Sequence, residues 1–425
     1  ERGLREAGFT GPLRLMQSDG GLCSADIARA FPIRLLESGP AGGALATVLF
    51  AREAGLAEAI AFDMGGTTAK ACLVEHGRPA VAPMMEAARV HRFKRGSGLP
   101  IRAPVVDMIE IGAGGGSIAR LDETGLLKVG PHSAGADPGP ACYGRGGVEA
   151  TVTDAALLLG HYDAASFLGG TMGLDKAAAA AALARLGAKL GLSALEAAAG
   201  VQAVVCEAMA SAARVHLVEK GRDPRGVAMV AFGGAGPAHA VRVARALGVA
   251  EVLVPPASGA ASALGFLTAP LAFERARSAL MPLGEGTDWT RANAILAALD
   301  AEARAPLREA GVLDRAIRIA RQAEMRLVGQ LHQIVVDLPD GELSAASAAD
   351  IRARFEAAYA ALYSRVVPGA AVEALSFRLR ATAPEPAVAL SGVVAGGGTR
   401  AALKGTRPAW FDGAFRDTPV YDREA

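Results

Sequence analysis

The sequence predicts an α/β fold, and three observations carry that prediction. Ala59–Val74 places two runs of β-formers around a Gly65-Gly66-Thr67-Thr68 tip, which reads as a β-hairpin. Val227–Phe232 is a continuous apolar run that enters Gly233-Gly234-Ala235-Gly236-Pro237 and then the helical periodicity of Ala238–Leu247. Glu251–Val254 follows as a further strand, so strand, glycine turn, helix and strand make a parallel crossover unit.

The remaining elements follow in order. Residues 1–37 carry a tight turn at Ser18-Asp-Gly-Gly21. Pro40–Leu56 reads as a helix with a small-residue start, and the hairpin region extends from 59 to 82. Residues 91–150 are rich in glycine and proline and read as loops with short strands, a length of irregular chain that is usually functional. Within them, His91-Arg-Phe-Lys-Arg95 reads as a solvated basic loop, with contact to a phosphate or carboxylate substrate as the alternative. Helices return at Asp154–Gly160 and Asp175–Leu190, and the capping box Ser193-Ala-Leu-Glu196 opens a long helix ending near Glu219. Residues 257–285 read as a connector. Beyond it, helices at 289–312 and 347–366 with strands near 316–337 and 371–382 form a smaller α+β module. Residues 383–425 read as Pro/Gly-rich coil with short strands.

The two glycine turns are the first candidates for chemistry. Paired glycines let backbone N–H groups approach an anion, and Thr67 and Thr68 add hydroxyl donors. Asp63 ends the first strand, where a carboxylate serves to hold Mg²⁺ or orient a water. The plainer alternative is a tight hairpin whose Asp only caps the turn. Lys70 is either a point charge for a phosphate or a solvated hairpin residue. At the second turn, Gly233, Gly234, Ala235 and Gly236 would let a flat ring or phosphate lie against a helix N-terminus, with Pro237 suited to the first helical position.

A third segment offers a weaker choice. Gly114, Gly115 and Gly116 read as a backbone nest for substrate or anion with Ser117 as donor, and Asp107 and Glu110 are further candidates for a metal. The alternative there is a bulged turn with solvated acids. His132, Asp137, Cys142 and Asp154 match no standard metal spacing and read as structural, with Thr153-Asp154 as a helix N-cap.

Asp63-Met-Gly-Gly-Thr-Thr-Ala-Lys70 and Gly233-Gly-Ala-Gly-Pro237 look like the second phosphate loop and the adenosine loop of the actin/heat-shock-protein/sugar-kinase-like (ribonuclease H-like) ATPase fold. Ser38-Gly-Pro-Ala-Gly-Gly43, Ile111-Gly-Ala-Gly-Gly-Gly-Ser117, the Gly130–Gly147 segment and Thr151-Val-Thr-Asp154 lie between and around them. That series, in that order, resembles the hydantoinase A/oxoprolinase family. The resemblance implies ATP and Mg²⁺ as cofactors, a cyclic amide such as a hydantoin or 5-oxoproline as substrate, and a B-type subunit as partner. A biotin-independent acetone-type carboxylase subunit and a non-catalytic nucleotide-binding module are the alternatives it leaves open.

It also implies an organisation: an ATPase lobe over 38–270, an α+β module over 271–385, and incomplete segments at 1–37 and 386–425. Family members begin with a further phosphate loop, Asp-x-Gly-Gly-Thr-Phe-Thr-Asp, that has no counterpart here. The chain is therefore expected to be a fragment, inactive as an ATPase by itself.

Composition narrows the classes further. A net charge of +1 with interspersed signs argues against a nucleic-acid groove. No uninterrupted apolar run approaches the ~18–20 residues that span a bilayer. Four cysteines, Cys23, Cys72, Cys142 and Cys206, lack pair or zinc spacing, and the plain expectation is a cytoplasmic protein with free thiols.

Overall fold

The computed structural model describes residues 1–87, 97–388 and 402–422; the His91–Arg95 run lies outside them. After a short helix at Arg2–Glu6 the chain forms an antiparallel ladder of Arg14–Met16 on Leu22–Ser24. Its turn is closed by the Gly21 N–H, which donates to Asp19 Oδ1 at 3.0 Å.

The α/β lobe is built on one mixed sheet. Helix α1 (Ser38–Glu53) leads into strands β1 (Glu58–Met64) and β2 (Ala69–Glu75), which pair antiparallel with Asp63 opposite Lys70. Strand β3 (Met108–Ile111) lies antiparallel on β2, with Glu110 opposite Lys70. Strands β4 (Ser117–Leu121) and β5 (Leu127–Ser133) form a separate antiparallel pair. Helices α2 (Val152–Leu158), α3 (Lys176–Leu190) and α4 (Ala194–Glu219) follow. Asp175 caps α3, and the capping box of Ser193 and Glu196 opens α4. Strand β6 (Ala228–Phe232) runs parallel to β1, with Phe232 opposite Asp63. Helix α5 (Gly236–Leu247) then crosses to β7 (Val252–Leu253), parallel to β6. The path through the sheet is β3-β2-β1-β6-β7.

Period-2 alternation divides the sheet between two cores. Ile60, Phe62 and Met64 of β1 join Val201, Val205 and Met209 of α4 and Val243 of α5. Ala59 and Ala61 face the other way, with Ala41, Ala44 and Phe50 of α1. Asp63 continues that second series, so its carboxylate emerges on the α1 face at the end of the strand. Helix α4 is long and apolar enough to cross a membrane, yet more than half of its apolar window is packed inside this lobe.

Helix α6 (Ala261–Thr268) crosses α1 with almost no room between the backbones. A Cβ on Gly265 would lie 1.8 Å from the Gly42 carbonyl oxygen, and one on Gly43 2.6 Å from the Phe232 ring. The segment expected to be a connector is therefore structured. After α6 it continues as the twelve-residue strand β8 (Ala272–Leu283). Helix α7 (Trp289–Glu309), strands β9 (Arg318–Leu327) and β10 (Ile334–Asp337), helix α8 (Ala348–Tyr363) and strand β11 (Val372–Thr382) complete the second module. Its sheet has the order β8-β11-β9-β10, antiparallel throughout. Strands β12 (Leu403–Phe411) and β13 (Ala414–Tyr421) form a final hairpin, docked on the lobe by the Trp410 N–H on the Leu159 carbonyl at 2.8 Å.

Candidate functional site

The hairpin tip between β1 and β2 is closed by the Gly65 N–H donating to the Thr68 carbonyl at 3.0 Å. Gly66 and Thr67 are exposed, and among the described residues their N–H groups meet no protein acceptor. Asp63 sits one residue before the turn and is half-buried. Burial pushes its carboxyl above the usual carboxylate range, while nearby Lys70 and the Ser262 hydroxyl pull it back down.

The Gly233–Gly236 turn lies directly beside it, although 168 positions separate Gly65 from Gly233. The Ala235 N–H donates to the Met64 carbonyl at 2.9 Å, and the Gly233 N–H to the Ser258 carbonyl at 2.9 Å. Gly233 has φ +86°, and a Cβ there would stand 2.4 Å from Asp63 Oδ1 and 2.5 Å from the Met64 carbonyl oxygen. Only glycine fits this contact. Gly234 is exposed and precedes the N-terminus of α5, so bare backbone of this turn lies beside Asp63.

The structure corrects the reading of Gly114, Gly115, Gly116 and Ser117 as an anion nest. Their N–H groups are consumed internally: Gly114 on Ser117 Oγ at 2.8 Å, Gly115 on the Gly65 carbonyl at 3.0 Å, Gly116 on the Gly66 carbonyl at 2.7 Å, and Ser117 on the Gly114 carbonyl at 3.1 Å. The glycines are there for contact between backbones, since a Cβ on Gly114 would lie 2.5 Å from the Thr67 nitrogen. The segment is a strut under the hairpin tip.

The charged candidates also separate. Lys70 Nζ is held by Glu37 at 2.9 Å and by Glu110 at 3.5 Å, so carboxylates occupy it and the role of phosphate ligand gives way to that of a strand tie. Glu110 faces Lys70, whereas Asp107 pairs with Lys220 of α4; three positions along an extended chain put the two acids on opposite faces. They do not join Asp63 around an ion, and no cluster of three or more His, Cys, Asp or Glu side chains able to hold a metal occurs among the described residues. The helix N-cap is Thr151, with Asp154 closing the capping box, in place of Thr153-Asp154.

Three contributors escaped the sequence reading. Ser262 lay in the supposed connector, Glu37 stood one residue before the Ser38 motif, and Thr153 was assigned to the cap. No local pattern marks Glu37 or Ser262; Glu37 reaches Lys70 from the start of α1, and Ser262 reaches Asp63 from α6.

Taken together, the fold and site define an α/β protein whose sheet end presents one half-buried carboxylate between two glycine turns. The chain belongs to the hydantoinase/oxoprolinase family: the hydantoinase/oxoprolinase description matches residues 1–275, and the C-terminal domain of that family matches residues 288–425. It is similar to the caprolactamase subunit alpha of Pseudomonas jessenii, 34% identical over 431 residues covering 99% of this chain and 60% of that protein. It is also similar to 5-oxoprolinase PfmaA of Pestalotiopsis fici, 30% identical over 419 residues covering 96% of this chain and 31% of that one. Among solved structures, nucleotide-free acetone carboxylase superposes with a TM-score of 0.77 at 25% identity, over 99% of this chain and 60% of the other. The ATP-dependent caprolactamase from P. jessenii superposes with a TM-score of 0.75 at 33% identity, over 98% and 60%. The chain thus spans about three fifths of the caprolactamase subunit and a smaller part of the oxoprolinase.

Proposed function

We propose that this chain carries the nucleotide-handling part of an ATP-dependent enzyme that opens a cyclic amide, a lactam, hydantoin or 5-oxoproline. The observation that carries the reading is the contact between the two glycine turns with Asp63 between them. In this reading the α/β unit is an actin-like ATPase lobe. The similarity to an ATP-dependent caprolactamase and to 5-oxoprolinases supports the cyclic amide as substrate class.

The residues present fit a nucleotide. The exposed N–H groups of Gly66 and Thr67 suit phosphate oxygens, with the Thr68 hydroxyl as a further donor, and the bare backbone at Gly234 suits close approach of the nucleoside. Asp63 is a single carboxylate, which suits Mg²⁺, an ion usually held by one or two carboxylates together with water and phosphate oxygens. An unactivated amide is a poor electrophile. Bound ATP would supply a phosphoryl group to the amide oxygen, releasing ADP and turning that oxygen into a good leaving group. One water then adds at the amide carbon, the C–N bond breaks, and phosphate leaves with the ring-opened amino acid (the N-carbamoyl amino acid for a hydantoin). The chain's own part is to orient the phosphates through the hairpin tip and to hold a metal or water at Asp63. A second, B-type subunit completing hydrolysis belongs to the same proposal, supported by relatives named as subunits.

Isothermal titration with Mg·ATP should give saturable binding. In the complete enzyme, Asp63→Asn should lower turnover more than nucleotide affinity, by about 2–4 kcal/mol in barrier, as for loss of an electrostatic stabiliser. Unchanged turnover at saturating ATP removes Asp63 from the mechanism. The carboxylase alternative is favoured by the likeness to acetone carboxylase, and it predicts ATP consumption that depends on bicarbonate and a ketone, with no response to a lactam.

A further inference from the structure

Helix α2 opens with more hydrogen-bonding capacity than its cap uses. The Asp154 carboxylate accepts from the Thr151 N–H at 2.9 Å and the Thr151 hydroxyl at 2.7 Å. It also gathers the N–H groups of Cys142 at 2.8 Å and Ala141 at 3.3 Å, so this fully buried acid is saturated by structure. Thr153 is left over. It is 4% exposed, and its N–H and its hydroxyl both donate to the Gly115 carbonyl, at 2.7 and 2.8 Å. That carbonyl belongs to the strut whose Gly115 and Gly116 N–H groups hold the carbonyls of Gly65 and Gly66.

Peptide planarity turns this grip into an orientation. In a trans peptide the C=O and the following N–H point in opposite directions. Holding the Gly65 carbonyl against the strut therefore turns the Gly66 N–H outward, and holding the Gly66 carbonyl does the same for the Thr67 N–H. A Gly-Gly tip left to itself has many conformations open to it, so outward donors need a cause.

We propose that Thr153 is a positioning residue for the phosphate-accepting tip: its two donors fix the Gly115 carbonyl, and the strut then holds the N–H groups of Gly66 and Thr67 outward. Its consequence for function rests on the nucleotide reading above; the strut itself does not.

Thr153→Val keeps the side-chain shape and the backbone donor while removing the hydroxyl, and Thr153→Ser restores it. In the 425-residue chain, the valine variant should speed amide hydrogen exchange at Gly115 and Gly116 by about tenfold, the weight of one net hydrogen bond. Mg·ADP affinity should fall by about three- to tenfold for the same reason, and the serine variant should return both to near the unsubstituted values. Unchanged exchange at Gly115 and Gly116 in the valine variant overturns the proposal. So does exchange that rises equally in β1 and β6, which marks a merely structural residue. Failure of the unsubstituted chain to bind Mg·ADP would instead count against the nucleotide reading, and exchange would still judge the strut.

Discussion

The α/β lobe and the antiparallel module handle polar atoms in opposite ways. In the lobe, β1 and β6 are covered on both faces by apolar side chains, and the polar groups that matter are backbone donors at the strand ends. In the module, Phe273, Ala323, Met325, Phe377 and Leu379 face the helices, while the alternate residues carry charge. Arg378 lies between Glu274, at 3.4 Å, and Glu324, at 2.7 Å, and Arg380 pairs with Asp19 of the first turn. A sheet covered on both faces leaves only its termini for chemistry; one with a single apolar face can use the other for ion pairs. The difference teaches that the lobe is built to present donors and the module to fasten segments together.

The largest test removes a fastener. Arg378→Met leaves Glu274 and Glu324 buried beside an apolar chain and should cost about 3–5 kcal/mol in denaturant unfolding. Mg·ADP affinity of the folded protein should be unchanged; a loss of affinity at intact stability would break the division of labour. Next comes Gly233→Ala. Left-handed backbone costs about 1–2 kcal/mol, and overlap with the Asp63 carboxylate adds about 1–3 kcal/mol. Here affinity should fall together with stability, and retained nucleotide binding would mean the two turns do not share a ligand.

A smaller effect is confined to the lobe. Burial holds His239 down at about 4 and lowers His161 and His216. The unfolded chain then binds more protons between about pH 6.5 and 4, so stability is full above that window and falls as pH drops through it. His239→Gln should flatten the slope by up to about 1.4 kcal/mol per pH unit, the contribution of one proton. Asp63 has the opposite sign: its raised pKa means that the folded state keeps a proton longer, and stability falls as pH rises from the usual carboxylate range toward that raised value. A slope unchanged by the histidine substitution would show that another group titrates there. The smallest expected response is to alkylation. All four cysteines are buried, with Cys23 pushed up to about 11 and Cys72 and Cys206 to about 12, so native protein should resist iodoacetamide until it unfolds. Rapid labelling of any one would place it at a surface this fold does not give it.

The α/β class, the hairpin and the strand-turn-helix were legible because local periodicity and glycine punctuation encode them. The capping box of Ser193 and Glu196 was equally plain. What the sequence hid was the fate of donors. A glycine nest and a glycine strut have the same composition, and only the tertiary acceptors on Gly65 and Gly66 tell them apart. Strand β8 escaped because Glu274-Arg275-Ala276-Arg277-Ser278 lacks apolar alternation; Glu274 is buried there by ion pairing with Arg378. Lys70 looked free for a phosphate because its partner Glu37 comes from a helix start 33 positions away.

The pairing of Asp19 with Arg380 joins residues 361 positions apart, and that distance has a meaning during synthesis. A ribosome adding roughly 5–20 residues per second takes tens of seconds to make the intervening chain. Throughout that interval the first turn lacks the Arg380 guanidinium, and the α/β lobe can emerge and fold before the last strand of the module exists. That ion pair is thus made late, after the ties of Ser18 to Arg34 and Val106 and of Leu22 to Pro270 have become available. Nascent chains stalled before residue 380 should hold a formed lobe whose first turn is cleaved faster by protease than in the released chain, where the Arg380 pair adds one more tie.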